Sequence, residues 1–406
     1  MLALLAGALV LQASPSSARV SDGDADSSRP APTVGAASAG TNPTSFKDVP
    51  SGYWANSAIK TVAVSNGWMR DFGSDTFKPE TKESRKLFAR TLIRVFHPDQ
   101  KVDGSLKFSD LPSDDPFYAP ANVAVKLGWM AATDKQFRPG DPVTMRAVHR
   151  ALVMALGLGD EAAGIGRIHT ADNYTFKHPR GLGTLMAGLV LGLRYNHGDE
   201  SMDVGPGDAL PRSEVAWSVA RAYAVNTTET WRKSELSPYA NIHLGAVPVG
   251  FRKVVEFGLR YVGYPYVYAG EWNKESPPGY CCGYQPRGGF DCSGFTWWLL
   301  AAPTVAWDNT AVRPYHGWPL PQRSSNDMAK AIPQSQRIPF SKLTPGDLMF
   351  YDGNRDGTID HVDTYLGWGW AFDSSSYLGG VSIIRISGGW YRDHFVWGRD
   401  IMRPAS

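Results

Sequence analysis

Cysteine is scarce in this 406-residue chain: Cys281, Cys282 and Cys292 are all it has. Three thiols so closely spaced are too few for a disulfide scaffold or a zinc site. A dominant charge sign is also missing. The chain carries 41 Lys and Arg against 39 Asp and Glu, a formal net charge of +2. That near-balance leaves no electrostatic case for nucleic acid or an anionic membrane as partner. The apolar run Met1 to Leu11 falls well short of the roughly 20 residues that a membrane-spanning helix needs, so no transmembrane anchor is expected. What the chain has in plenty is Gly (42), Pro (29) and Trp (14), in a composition 43% hydrophobic and 20% charged. Those proportions suit a globular protein of about two or three domains at roughly 150 residues each.

The apolar start is followed by small residues, among them Ala13, Ser16 and Ala18. This fits a secretory signal peptide over 1–18, with Ser16-Ser17-Ala18 as a cleavage site. No Lys or Arg precedes Arg19, so the basic leader region is absent: either the true start lies upstream or the signal is atypical. Residues 19–44 are mostly Ser, Ala, Gly, Asp and Pro. Such a stretch cannot bury enough apolar surface to order itself and reads as a flexible linker.

Self-similarity marks the next region. Phe46-Lys47-Asp48-Val49 recurs 62 residues on as Phe108-Ser109-Asp110-Leu111. Gly67-Trp68-Met69 recurs as Gly128-Trp129-Met130, and Phe77-Lys78-Pro79 as Phe137-Arg138-Pro139. Arg85 and Arg146, 61 residues apart, stand at the head of apolar-periodic helices, and a weaker third copy ends with Leu210-Pro211-Arg212-Ser213-Glu214. Each unit (45–103, 104–167 and 168–232) reads as two amphipathic helices joined by a Gly/Pro loop. Two stripes cannot close a core alone, so three units must pack together.

The pattern resembles the S-layer homology module, which occurs as three tandem copies in bacterial surface proteins. The resemblance implies an all-α three-repeat bundle that holds an anionic secondary cell-wall polymer. The module's Thr-Arg-Ala-Glu motif appears here as Ser84-Arg85-Lys86-Leu87, Thr144-Met145-Arg146-Ala147 and Pro211-Arg212-Ser213-Glu214. Arg85, Arg146 and Arg212 are therefore the candidate polymer-binding residues. An Arg at a helix N-terminus can join backbone N–H donors in gripping an anion. It can equally pair with a carboxylate of a neighbouring repeat, and both roles stay open.

A second domain begins near Pro248 and runs to 406. Gly289-Phe290-Asp291-Cys292-Ser293-Gly294-Phe295 opens an apolar run to Ala302. Asp291 is a good N-cap, and Cys292 falls in the first helical turn, where the helix N-terminus stabilises a thiolate. Such a nucleophile needs a base from elsewhere in the chain. Leu343 to Phe350 reads as a turn feeding a strand, and Asp360-His361-Val362 to Gly367 as another, with His361 at its start. Asp373, twelve residues after His361, can reach it from the neighbouring strand and fix its tautomer. The expected triad is Cys292 as nucleophile, His361 as proton shuttle and Asp373 as orienting carboxylate.

Tyr266, Asp291-Cys292-Ser293-Gly294, Pro345-Gly346-Asp347-Leu348 and Asp360-His361-Val362 together resemble the NlpC-type cell-wall cysteine peptidases. The resemblance covers about 250–402 and implies a papain-like α+β fold. It also implies cleavage of peptidoglycan stem peptides, most often between D-glutamate and the diamino acid, with no cofactor or metal. Carried over, Cys292 is the nucleophile and His361 the base. Tyr266 matches a tyrosine near the cysteine, and the third position, more often His, falls on Asp373. The segment Leu320-Pro321-Gln322-Arg323-Ser324 also has a counterpart in the family. Two Gly/Pro/aromatic-rich insertions, Glu271 to Gly289 and Pro303 to Pro319, depart from the pattern and are expected to rim the cleft. Cys281 and Cys282 lie in the first and read as structural thiols.

The run Asp352 to Asp363 fits two readings, a calcium loop with Asp in the twelfth position or a hairpin whose Asp, Asn and Gly supply turn geometry. The whole chain then reads as a secreted, wall-attached peptidase. Two rivals share the same residues: a wall-binding protein with an occluded Cys292, and an acyltransferase or amidase using the triad on another substrate.

Overall fold

The computed structural model describes residues 46–73, 75–99, 105–227, 229–272, 287–300, 320 and 322–402. The expected signal peptide and linker, residues 273–286 of the first insertion with Cys281 and Cys282, and the whole second insertion lie outside them. In chain order the N-terminal part is α1 (Asn56–Ile59), continuing as a π-helical turn over Lys60–Ser65, then α2 (Arg85–Phe96), α3 (Tyr118–Lys126), α4 (Met145–Ala155), α5 (Gly159–Ile165), β1 (Ile168–His169), α6 (Leu182–Val190), α7 (Arg212–Asn226), α8 (Glu229–Leu236) and β2 (Ile242–His243). The C-terminal part is α9 (Val249–Gly258), β3 (Glu271–Trp272), β4 (Gly289–Phe290), α10 (Cys292–Leu300), α11 (Ser325–Lys330), β5 (Leu348–Tyr351), β6 (His361–Gly367), β7 (Trp370–Ser375), β8 (Gly380–Arg385), α12 (Gly389–His394) and β9 (Phe395–Arg399).

A helix leaves its first N–H groups without internal partners. In the N-terminal part, α2, α4 and α7 find partners in one another's loops. Arg85 and Lys86 N–H donate to the carbonyls of Asp141 and Pro139 (2.9 and 3.1 Å). Met145 and Arg146 donate to Asp208 and Pro206 (3.2 and 3.0 Å), and Arg212 and Ser213 to Thr81 and Pro79 (2.9 and 3.0 Å). Single bridges Ser84–Pro142, Thr144–Ala209 and Lys82–Pro211 follow the same order. The contacts run from first unit to second, second to third and third back to first, closing a ring.

This ring corrects two expectations. The structural equivalents of Arg85 are Met145 and Arg212, the first residues of α4 and α7, and Arg146 sits one position later. The first two N–H groups of each of these helices, which an anion at the helix start would meet, are also taken by protein carbonyls.

Arg212 is wholly buried. Its guanidinium meets Glu83 at 2.5 Å and Asp71 at 3.1 Å, and donates to the carbonyls of Phe77 and Met69, both at 2.9 Å. Of its two open roles, the structure gives Arg212 the bridge between repeats. Arg85 is half-buried and donates to the carbonyls of Phe137 (2.7 Å) and Ala131 (2.5 Å). Arg146 is half-exposed.

Two short parallel strands, β1 and β2, pair Ile168 with Ile242 and His169 with His243 where the chain leaves the bundle. The C-terminal part is built on an antiparallel sheet in the order β8-β7-β6-β5-β9. α10 lies on it, with Phe295 packed edge-on against Phe372 of β7 at 5.8 Å between centroids. Every residue of α10 is buried, Trp297 and Trp298 included, so these tryptophans are core. Among the described residues no helix is long and apolar enough to cross a membrane.

Two stability measurements follow. Arg212→Met leaves Glu83 buried without its cation, while Asp71 keeps Arg90 and Arg94, and removing one partner of a buried ion pair costs about 3–5 kcal/mol. Urea denaturation of the helical unit should show a loss of that size. His149 is fully buried in α4, and its pKa is depressed by burial to about 3. The folded chain therefore takes up its proton far below the unfolded chain, whose histidine titrates near the ordinary value of about 6.5. Between those limits the unfolded state binds more protons, so stability is lost as pH falls, by about 1.4 kcal/mol per unit from this group alone. Denaturation at pH 7 and pH 5 should show a shallower acid slope for His149→Leu than for the wild type.

Candidate active site

Cys292 is the first residue of α10, and its thiol is 8% exposed with Sγ 4.0 Å from the Asp360 carbonyl. Asp291 caps the helix as its residue type suggests: Oδ1 accepts from Gly294 N–H (2.5 Å) and from the Ser293 hydroxyl (3.1 Å). Arg323 braces this cap. It donates to both Asp291 oxygens (3.2 Å each), to Ser293 Oγ (2.7 Å) and to the Gly270 carbonyl (3.2 Å), and pairs with Glu271. Burial opposes the Arg323 charge, but Asp291 and Glu271 outweigh it and hold the guanidinium above its ordinary pKa.

Tyr266 precedes this cluster in a turn whose backbone meets Phe290 and Gly379. Its phenol is kept neutral by burial, then by the nearby charges of Cys292 and Asp291. The helical part reaches this wall too, since Glu200 Oε2 accepts from Tyr268 N–H at 2.7 Å.

His361 opens β6, and its Nε2 lies 3.0 Å from Asp373 Oδ1 on β7. The structure thus brings Cys292, His361, Asp373 and Tyr266 into one buried region. It adds a residue that sequence reasoning missed: Asp363, whose Oδ1 is 3.1 Å from the same Nε2. Residues two apart on a strand share a face, and that periodicity alone could have placed Asp363 beside His361. Asp373 is in turn held by the hydroxyls of Ser375 (2.6 Å) and Tyr391 (3.3 Å). Burial works against an imidazolium here, yet Asp363, Cys292 and Asp373 outweigh it and raise His361 well above its ordinary pKa. Asp363 is itself pushed up, first by burial and then by Asp373, against the pull of His361. Among the described residues, His361, Asp363 and Asp373 are also the group whose donor atoms lie close enough to share a metal ion.

The Asp352 to Asp363 run takes the hairpin form. Asp352 accepts from the N–H groups of Asp356 (3.1 Å) and Gly357 (2.8 Å), Asp356 from Thr358 (2.7 Å), and Asp360 from Gly353 (3.1 Å). These carboxylates shape the turn, and Asp363 faces His361 instead of the loop.

Residues 263–400 match the model of the NlpC/P60 family. The chain is 29% identical over 147 residues to the bifunctional muramidase/DL-endopeptidase CwlT of Bacillus subtilis (strain 168), covering 36% of this chain and 35% of that protein. It is 31% identical over 124 residues to the murein DD-endopeptidase MepH of Escherichia coli (strain K12), covering 30% and 41% respectively. An S-layer protein of Bacillus licheniformis is 34% identical over 102 residues, 25% of this chain and 11% of that one. The chain thus spans less than half the length of each of these relatives. Similar solved structures include an NlpC/P60 family protein from Bacillus cereus ATCC 10987, 23% identical over 39% of this chain and 42% of that one, with a TM-score of 0.28. The peptidoglycan hydrolase RipB from Mycobacterium tuberculosis is 24% identical over 39% of this chain and 70% of its own, with a TM-score of 0.26.

Gly294 tests how tightly the nucleophile is placed. A Cβ there would stand 1.9 Å from the Gly270 carbonyl oxygen and 2.8 Å from Arg323 Nη2. Gly294→Ala must therefore shift the first turn of α10. A displacement near 1 Å can cost about a hundredfold in rate, and we expect a loss of that order in peptide release, with far-UV circular dichroism unchanged.

Proposed function

We propose that this chain is an exported, wall-attached cysteine peptidase that hydrolyses peptide stems of peptidoglycan, at the bond between D-glutamate and the diamino acid. The observation that carries this reading is a thiol at a helix N-terminus with a buried histidine held by carboxylates on the facing sheet. The NlpC/P60 match over 263–400 supports the reaction class.

Catalysis follows from the residues. Nε2 of His361 is committed to the carboxylates, which leaves Nδ1 to exchange a proton with Cys292. The Cys292 thiolate attacks the stem carbonyl carbon and forms a C–S bond. The Cys292 backbone N–H, at the helix N-terminus, steadies the developing oxyanion. As the C–N bond breaks, the His361 imidazolium gives its proton to the leaving amine. Water then attacks the thioester, yields its proton to His361, and the C–S bond breaks to release the new carboxylate and restore the thiolate. Tyr266 lines the approach to the thiol. No cofactor enters these steps.

In this reading residues 1–18 direct export, 19–44 form a linker, the three repeats over 45–232 localise the enzyme, and 248–406 do the chemistry. The match to an S-layer protein supports wall attachment through S-layer homology modules. With Arg212 buried, an anionic wall polymer would meet Arg85 and Arg146.

Digestion of purified peptidoglycan by wild type and Cys292→Ala, with released peptides read by mass spectrometry, tests the proposal. New stem fragments ending at D-glutamate are expected from the wild type alone. The two curated endopeptidase relatives carry different bond names, DL and DD, and the fragment masses distinguish those cuts. Absence of fragments from both proteins, with both still sedimenting with walls, would replace the peptidase reading with a wall-binding one.

A further inference from the structure

We propose that Asp363 is a second positioning carboxylate for His361, sharing with Asp373 the work of fixing the imidazole ring and balancing its charge. This rests on the peptidase reading above, because it assigns a role at the same histidine.

The argument starts from strand register. β6 and β7 pair antiparallel with Thr364 opposite Phe372 and Tyr365 opposite Ala371. Extending the ladder one residue sets Asp363 directly opposite Asp373. Like charges facing each other across a strand pair are destabilising, and burial raises the cost. Here Asp363 is wholly buried and Asp373 is 1% exposed. Such a pair persists only where a cation joins it, and the imidazole lies within hydrogen-bond distance of both. Nε2 is hydrogen-bonded to Asp363 Oδ1 at 3.1 Å and lies 3.0 Å from Asp373 Oδ1 as an ion pair, so the ring has a carboxylate on both sides.

The two acids are not equivalent. Asp373 receives hydroxyl donors from Ser375 and Tyr391. Asp363 is pushed up by burial and by Asp373 across the strand pair, against the pull of His361 and the Tyr351 hydroxyl. The groups around His361 are Asp360 just before its strand, Asp363 on that strand, Tyr351 on β5, Asp373 on β7, Tyr391 on α12, Cys292 on α10 and Tyr266 in the turn. Removing either carboxylate weakens the imidazolium, so His361 loses its proton at lower pH. The alkaline limb of the rate profile, where the proton donor to the leaving amine disappears, then moves down.

The test uses the full chain carrying Asp363→Asn, Asp373→Asn or both. Two readouts are followed against pH: hydrolysis of soluble peptidoglycan stem fragments, and alkylation of Cys292 by iodoacetamide, which needs no substrate. For each single variant we expect the alkaline limb to fall by about one pH unit and kcat by about tenfold, the rate equivalent of one pKa unit, with KM little changed. Alkylation near pH 6 should slow in parallel, and the double variant should be worse than either. Should Asp363→Asn fail to fold by circular dichroism, Asp363→Gly carries the same measurements at that strand position. Profiles for the Asp363 variant that overlay the wild type, while Asp373→Asn shifts them, would overturn the proposal. So would a lowered melting temperature with unmoved profiles, the mark of a purely structural residue. If the wild type cuts no peptidoglycan, a shifted alkylation profile in Asp363→Asn still upholds the role at His361, and the hydrolase reading falls alone.

Discussion

The cap of α10 is the constraint on which the site depends. In the proposed reading Cys292 is the nucleophile, and its placement comes from the helix it begins. Because every face of α10 is buried, the helix cannot rotate or slide without disturbing Phe295, Trp297 and Trp298. Asp291 fixes where the helix starts, and Arg323 fixes Asp291. Since Arg323 also pairs with Glu271 on β3, the strand before the first insertion and the residue before the nucleophile share one cation. Three chain segments far apart in sequence thus set the position of a single sulfur.

On the facing side the balance is electrostatic. Two buried carboxylates at one point of a sheet are a liability that packing alone does not relieve. The histidine between them turns that liability into a preference for the charged ring, which in the proposed reaction is the form that protonates a leaving amine. Burial and ion pairing pull His361 in opposite directions, and pairing wins because two acids and a thiol face one imidazole. The same low-polarity surroundings that make the pair costly strengthen each of these attractions.

Much of this was legible in the sequence. Cys292, His361 and Asp373 announce themselves because helix-start and strand patterns are local, and the structure places them together. Asp363 stayed hidden because it also completed an apparent calcium-loop pattern, and only the pleat of β6 separates the two meanings. The misalignment of Arg146 has a similarly plain cause. Gly67 and Gly128 are 61 residues apart, but Phe77 and Phe137 are 60 apart, so the repeat loses one residue between those landmarks. An arginine matched at 61 is then out of step at the helix start. The N-caps Ser84, Thr144 and Pro211 keep the true register, since capping depends on backbone position more than on identity. The Arg323 brace was beyond sequence reasoning, because it joins residues 52 and 32 positions apart in Arg323–Glu271 and Arg323–Asp291.

The helical unit does more than sit beside the catalytic one. Among the described residues it reaches the Cys292 side through Arg194 to the Gly263 carbonyl (3.2 Å) and Glu200 to Tyr268 N–H. On the histidine side, Ser234, Glu235 and Tyr239 join Arg385, Trp390 and Tyr391 around a cavity of about 330 Å³. Trp390 and Tyr391 are also the rings packed against His361, at 5.9 and 6.2 Å between centroids. The walls on both sides of the nucleophile therefore draw on the helical unit.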